Sequence, residues 1–364
     1  MRLGDGFFRA GSRPGRDLGV LLARRLALAG PLRVLDAMAG CGIRALRYGL
    51  EAEAAAVWAN DADPDRLAVL RANLATLQER ARITACTAQG VLAGCLQRRQ
   101  RFELVDLDGF GCPTPLLPLA LEAVAFGGVL LLASSDGRSP TGHDRRAAIR
   151  SLGAAARAHP ASWELALRLQ LGCQARAAWS MGRGLEPVLA FSEGRTFRTA
   201  VRLRRSPAPR AEEHLGLIAH CHACGDQQVQ TLLHLRQWQP CGCPAGAAAP
   251  LAISGPLWIG PLQDGALAAE LAADGASCGT VAPATLRLLG RLQADPAPVA
   301  RCWPTAALAR HLGSGPPPLA PLVAALRAEG WRAWASGVMA GQIRSDAPWP
   351  RLCELAQRIG ARRC

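Results

Sequence analysis

Phe102-Glu-Leu-Val-Asp106-Leu-Asp108-Gly-Phe110-Gly-Cys-Pro113 ends an apolar run in two carboxylates and an aromatic ring. Successive strand side chains point to opposite faces, so Asp106 and Asp108 share one face at the strand's end. An acid followed at once by a backbone carbonyl and a ring suits methylation of an amine on a nucleobase. The exocyclic amine of guanine is a poor nucleophile, because its lone pair is delocalised into the ring. A carboxylate and a carbonyl accepting its two N–H bonds would hold that nitrogen in line with a methyl donor and draw off a proton as the bond forms. The ring of Phe110 would stack on the base. A loop with an N-cap aspartate and a packed phenylalanine is the other reading of the same residues.

Asp36-Ala-Met-Ala-Gly40-Cys-Gly42 lies where a first strand turns into a first helix. Glycines there let the backbone approach a ligand, and the helix N-terminus can hold a carboxylate or phosphate. Asp61, some 25 residues later at the end of a second strand, can accept two hydrogen bonds from a ribose. An acid at the end of the first strand, in place of the first glycine of G-x-G-x-x-G, suits S-adenosylmethionine better than NAD, since it can face an ammonium group. A plain tight turn and an ordinary strand-end aspartate are the alternatives.

Cys221-x-x-Cys224 and Cys241-x-Cys243 form two pairs separated by 16 residues. Four thiolates so spaced can close a tetrahedral zinc site, with no open position for catalysis, so such a metal would serve folding or RNA docking. Unliganded thiols are the alternative, and His220, His222 and His234 are other candidate ligands.

The whole chain sets bounds on these sites. Its 364 residues are half apolar and 19% charged, a globular balance with room for two or three domains. Of its charged side chains 42 are basic and 28 acidic, giving a formal charge of +14, and every basic one is arginine. Codon usage is the simplest source of the missing lysine, but the charge stands either way. It favours a polyanionic partner, nucleic acid ahead of an anionic membrane. Arg98, Arg99 and Arg101, then Arg202, Arg204 and Arg205, and finally Arg362 and Arg363 could track phosphates, or simply form solvated faces. The longest apolar stretch, Ala123 to Ala133, is far short of the roughly 20 residues a membrane span needs. No signal-peptide pattern opens the chain, and thirteen cysteines are an odd number for a disulfide scaffold. A cytoplasmic protein is expected, with no membrane and no obligate protein partner evident.

Strands and helices must position these groups. Leu32–Asp36, Ala55–Ala59, Ile83–Thr87, Phe102–Asp106 and Val129–Ser134 read as strands, and helices are expected from near Ile43 and over Pro64–Leu77. That alternation argues for a doubly wound α/β sheet. Trp163–Leu171 reads as a helix and Phe197–Leu203 as a late strand. The proline-broken stretch Arg204–Pro209 marks a boundary, predicting a methyltransferase domain over 1–208 and a smaller α+β domain over 209–364 that holds the cysteine cluster. Helical patterns follow at 281–294, 304–312 and 319–330, with Trp331 and Trp334 as core.

Several motifs, in order along the chain, resemble those of the tRNA guanine-26 N2-dimethyltransferases. Val34 to Glu51 resembles the cofactor motif LD…GxRxxRxxxE, Ala59-Asn-Asp-Ala-Asp-Pro64 is similar to NDxxP, and Val105 to Pro113 looks like DLDP[FY]GxP. Gly127-Gly-Val-Leu through Asp136 to Gly142 is similar to GGLL…TD…G, and Phe7-Phe8 with Arg16-Asp17 to an N-terminal FYNP…NRD. Gly255-Pro-Leu-Trp-Ile-Gly-Pro-Leu262 and Gln342-Ile-Arg-Ser-Asp-Ala-Pro348 resemble signatures of its second half.

The resemblance implies a Rossmann-like class I methyltransferase that uses S-adenosylmethionine to mono- and dimethylate the N2 of one guanine of tRNA. It would put Asp36, Gly40, Gly42 and Asp61 on the methyl donor with Arg16 and Arg44 near it. Asp108 would be the catalytic carboxylate and Phe110 the stacking ring. The chain departs from the pattern at Gly109, where the family has proline, and at Arg9, Ala10 and Gly15 in the N-terminal motif. It also has Thr87-Ala-Gln89 where an acid facing the adenine is expected, so Gln89 is the candidate there. Family members often carry cysteine pairs before the GPLW signature, in keeping with a structural zinc. A non-catalytic RNA-binding protein on a decayed methyltransferase scaffold and an N-methyltransferase of another RNA are the competing readings.

Overall fold

Largely apolar strands, well buried except at one edge, build the sheet that carries the candidate site. In the computed structural model these are β1 (Arg33–Asp36), β2 (Ala56–Asp61), β3 (Ala81–Ala85), β4 (Phe102–Asp108) and β5 (Val124–Ser134), followed by β6 (Gly184–Glu193) and β7 (Thr196–Arg204). Their order is β3-β2-β1-β4-β5-β7-β6, parallel from β3 to β5, with β7 and β6 added antiparallel. Helices α1 (Arg13–Ala27), α2 (Ile43–Glu51), α3 (Arg66–Leu74), α4 (Ala88–Gln97) and α5 (Leu117–Ala123) accompany the first five strands. The structure describes residues 2–3, 8–243 and 250–361, so Phe7 of the N-terminal motif and the expected phosphate contacts Arg362 and Arg363 lie outside the described residues.

The expected Rossmann-like class is thus present, with local differences. The third strand ends at Ala85, two residues short of the expected Thr87, because the Thr87 hydroxyl instead accepts the Gly90 N–H and caps α4. The helix expected over Pro64–Leu77 stops at Leu74 and tightens into a 3₁₀ turn. Strand β6 was not expected: Pro187 interrupts it and its register with β7 slips between Pro187 and Leu189, a proline-bearing bulge on an edge strand. Among the described residues no helix is long and apolar enough to cross a membrane.

The chain forms two compact units, and neither is one continuous stretch. The first comprises residues up to 136, 174–207 and 266–290; the second 137–173, 208–265 and 291 onward. The segments 1–208 and 209–364 therefore each contribute to both units. Unit two contains β8 (Leu215–His220), β9 (Gln227–Thr231) and β10 (Ala252–Trp258) in the order β10-β8-β9. It also holds β11 (Cys302–Pro304), β12 (Ala333–Ala335) and β13 (Gln342–Ser345) in the order β11-β13-β12. Trp303, Leu322, Leu326, Ile343, Trp349 and Leu352 form a core there, and Trp331 packs partly buried against it.

Beside that core a buried ion cluster ties unit two together. Arg344, fully buried on β13, donates to Glu164 (2.5 and 2.7 Å) and to Asp295 (3.0–3.2 Å), while Arg168 also holds Glu164 at 2.8 Å. Burial alone would push the Glu164 carboxyl up, but Arg344 first and then Arg168 hold it down at about 2. A depressed carboxyl contributes stability that is complete above its ordinary value of 4.5 and is lost as pH falls towards 2. Urea unfolding between those pH values should show unit two losing roughly 3 kcal/mol from this group, and Glu164→Gln should flatten that part of the pH profile. Arg344→Met, which takes the cation from Asp295 and leaves Glu164 with Arg168 alone, should cost about 3–5 kcal/mol at neutral pH.

Candidate active site

Strands β1, β2 and β4 end side by side at the C-terminal edge of the sheet, where ligands bind in open α/β folds. Parallel pairing sets Asp36 opposite Asp106, so the expected strand-end acids meet. Helix α2 follows the glycine turn and turns its first residues inward. Arg44 pairs with Asp106 at 3.3 Å and more closely with Asp108, and Tyr48 donates to Asp106 at 2.6 Å. Gly42 stands at the start of α2 with φ 79°, and a side chain there would strike Leu70. Gly40, with φ 55°, faces open space, and its N–H donates to Asp61 at 2.8 Å. Asp61 also accepts the Asp63 N–H, so this carboxylate holds the loop as well as edging the site.

The electrostatics separate the three central acids. Asp36 is fully buried, and among the described residues no side chain donates a hydrogen bond to either of its oxygens. Burial first, then the negative charge of Asp106, push its carboxyl well above the usual range; Arg44 and the Ala45 N–H pull the other way without reversing this. Asp106 is raised by burial too. For Asp108 burial works upward as well, but Arg44 and then Arg198 outweigh it and hold the carboxyl below its ordinary value. Asp108 is therefore a fixed carboxylate, while Asp36 is an acid without a counter-charge.

Arg198, Glu193 and Tyr48 were not among the expected site residues. Arg198 reaches Asp108 at 3.2 Å because Asp108 of β4 pairs with Ala133 of β5, which pairs with Arg198 of β7. Glu193 receives Arg198 at 2.5 Å and accepts the Gly15 N–H of α1 at 2.6 Å. The period-two pattern of 197–203 signalled a strand but not its register.

The other expected residues are placed as follows. Phe110 is 77% exposed in the loop after β4. That loop is pinned where the Gly111 N–H donates to Ser135 at 2.7 Å and the Gly111 carbonyl accepts from Ser134 and Ser135. Gly109 has Met38 against it, so a side chain there would meet the thioether, and the space of the family's proline is taken by Met38. Arg16 donates to the carbonyls of Arg9 and Ala10 and lies 5.0 Å from the centre of the Phe8 ring, so it organises the N-terminal segment. Gln89 is exposed on the first turn of α4 and, among the described residues, makes no hydrogen bond to the acid cluster.

In unit two, Cys221, Cys224, Cys241 and Cys243 bring their sulfurs within 4.8 Å of one another. Tetrahedral zinc at 2.3 Å from each sulfur would space them about 3.8 Å apart, so these four residues could hold the ion. Of the expected phosphate contacts, Arg101 pairs with Glu122 and Arg204 with Glu186.

The family model described as N2,N2-dimethylguanosine tRNA methyltransferase matches residues 5–357. The tRNA (guanine(26)-N(2))-dimethyltransferase of Methanoregula boonei is 29% identical over 348 residues, covering 95% of this chain and 89% of its own. That of Thermococcus kodakarensis is 28% identical, over 94% and 91% of the two chains. The structure of Trm1 from Pyrococcus horikoshii in complex with S-adenosyl-L-methionine matches with a TM-score of 0.83 at 25% identity, over 96% of this chain and 94% of that one. The ordered strand-end acids, the sheet that presents them and this full-length match together show that the chain belongs to the N2,N2-dimethylguanosine tRNA methyltransferase family.

Proposed function

We propose that this protein transfers methyl groups from S-adenosylmethionine to the exocyclic N2 of guanine 26 in tRNA, giving N2-methyl- and then N2,N2-dimethylguanosine, and that it works in the cytoplasm. The observation that carries this reading is the Asp36–Asp106–Asp108 cluster with its two arginines at the C-terminal edge of the sheet. The residues fit the donor. Asp36 is a buried acid without a side-chain partner, whose charge an ammonium group would answer once its proton leaves. Gly40 leaves open space, Asp61 stands at the end of β2 where a ribose would lie, and Gln89 on α4 would meet the adenine. Gly42 shapes the turn, Arg44 orders the carboxylates, and Arg16 holds the N-terminal segment beside them.

When bound, S-adenosylmethionine supplies an activated methyl group. Asp108 and the carbonyl beyond it accept the N–H bonds of the guanine amine, and Phe110 stacks on the ring. Because Arg44 and Arg198 keep Asp108 ionised, it is a weak base towards the neutral amine. It aligns the nitrogen first and receives a proton only after N–C bond formation has made that nitrogen cationic and strongly acidic. One N–H survives the first transfer, so the same carboxylate can align the second. Residues 209–364 and the arginine excess would grip the tRNA body, and the guanine would be extruded into the site. Zinc on the four cysteines would be structural.

Labelled S-adenosylmethionine and unmodified tRNA transcripts should give N2-methylated guanosine, lost when guanine 26 is replaced. No transfer from folded protein that still binds tRNA would overturn the reading in favour of a decayed scaffold. Asp108→Asn should lower the single-turnover rate by about 10²–10⁴-fold with little change in donor affinity. Asp36, faced by Asp106 and Asp108 on β4 and by Arg44 and Tyr48 on α2, must lose its proton to meet a cation. Calorimetric donor affinity should therefore rise with pH, about tenfold per unit below the free carboxyl's pKa, with proton release; Asp36→Asn should bind weakly and without that slope. Metal analysis should find one zinc per chain, and Cys221→Ser should lose it together with several kcal/mol of stability.

A further inference from the structure

Unit two contains a cavity of about 510 Å³ that the methyl-transfer chemistry does not use and that has Cys224 of the metal site in its wall. Its walls include His159, His220, His222, Arg310, His311 and Trp349. This is the size of a small-molecule or nucleotide site, in a range of roughly 300–1,000 Å³. Among the described residues no carboxylate lines it, so apart from the Cys224 thiol its polar side chains are guanidinium, imidazole and indole.

Two of those groups are buried and left unanswered. Trp349, 5% exposed, stacks on Trp303 with ring centres 5.6 Å apart, and its Nε1 has no partner among the described residues. Trp303 makes the contrast, because its own Nε1 donates to the Gly225 carbonyl at 2.8 Å. His220, 6% exposed, lies edge-on to His159 and His222, and its Nδ1 is likewise without a partner. An indole N–H can only donate, and a buried donor left unmade costs about 1–3 kcal/mol. A ligand acceptor that reached such a group would remove that cost. Gly225, with φ 93°, lets the loop after β8 lie directly on the Trp349 ring, and a side chain there would collide with it. His311 lies 5.3 Å from the same ring, and Arg310 and His222 are exposed beside it.

We infer that this cavity takes one unpaired nucleotide of an RNA strand, its base against Trp349 and His311 and its phosphate on Arg310. The Arg310 guanidinium and the indole N–H ask for an anion with acceptors, the aromatic walls for a planar ring, and a nucleotide carries both. The choice of RNA over a free nucleotide rests on the tRNA substrate proposed above, but the binding itself can be measured without methylation.

The test uses the zinc-replete full chain, an unmodified tRNA transcript, a single-stranded RNA pentamer and inorganic phosphate. Arg310→Ala, a surface change, and Trp349→Phe, which keeps a ring and removes the N–H, should each weaken pentamer binding about tenfold or more. Arg310→Ala should also weaken transcript binding and lower its salt slope by about one. Donor affinity and the single-turnover rate at saturating tRNA should not change in Arg310→Ala. Inorganic phosphate should compete only at far higher concentration than the pentamer. Pentamer binding that both variants leave intact, or that phosphate displaces at equal concentration, overturns the inference. Variant-sensitive pentamer binding by a wild-type protein that methylates no tRNA upholds the pocket while the proposed reaction falls.

Discussion

Three carboxylates meet two guanidinium groups at the ends of β1 and β4, in a place almost without water, and unit one is arranged around that imbalance. Removing a carboxylate from water costs several kcal/mol unless opposite charge and hydrogen bonds replace the solvent. Arg44 answers Asp106 and Asp108 together, Arg198 answers Asp108 from across the sheet, and Tyr48 completes Asp106. Asp36 is the one left over. A fold stable on its own terms would have replaced it with an apolar residue. Its presence is understandable where a cation would arrive with the ligand, since the acid could then give up its proton and its charge be answered by the donor. The same account explains why Asp108 must be doubly paired. An ionised carboxylate beside a second, proton-bearing acid keeps its own charge only if other cations fix it.

Much of this was legible because buried parallel strands write themselves as apolar runs that end in polar residues. Asp36, Asp61, Asp106 and Asp108 sit at such ends, and the glycine turn after β1 announces the helix that carries Arg44. Arg198 and Glu193 were not legible for a geometric reason. Their relation to Asp108 passes through β5 and depends on the register of an antiparallel pair at the far edge of the sheet. A one-residue slip would send Arg198 to the opposite face, and sequence periodicity cannot fix that register. Helix α1 was hidden for another reason. Pro14, Gly15 and Gly19 look like breakers, yet Pro14 sits in the first helical turn and the two glycines admit Arg198 and Tyr48 at close range.

Unit two was harder to read. Strands of three or four residues such as β11 to β13 are too short to show a period, and they exist because Trp303 and Ile343 bury against the surrounding helices. Arg344 lies in a segment that invites a surface or ligand reading, and it is fully buried between two carboxylates. The absence of lysine matters here. Arg344 addresses Glu164 and Asp295 at once through a planar fork, which a single ammonium group could not do with the same geometry. Whatever its origin, the all-arginine composition has structural consequences, since charge clusters in both units are built on guanidinium groups that pair with more than one acceptor.

The loop between β8 and β9 shows how one constraint can serve two purposes. Cys221 and Cys224 lie on it, and so do His222 and Gly225, which face the cavity beside Trp349. A tetrahedral metal fixes its ligands to within a few tenths of an ångström. Four residues that span two ligands have little freedom left, so a metal held there would set where the imidazole of His222 stands and how closely Gly225 approaches the indole. A four-thiolate site has no vacancy for chemistry, but it can hold a binding wall in place at no cost in side-chain entropy to that wall. Rigidity of this kind matters most for recognising single-stranded nucleic acid. A strand must lose its own freedom on binding, and a preformed wall leaves only the strand's entropy to be overcome.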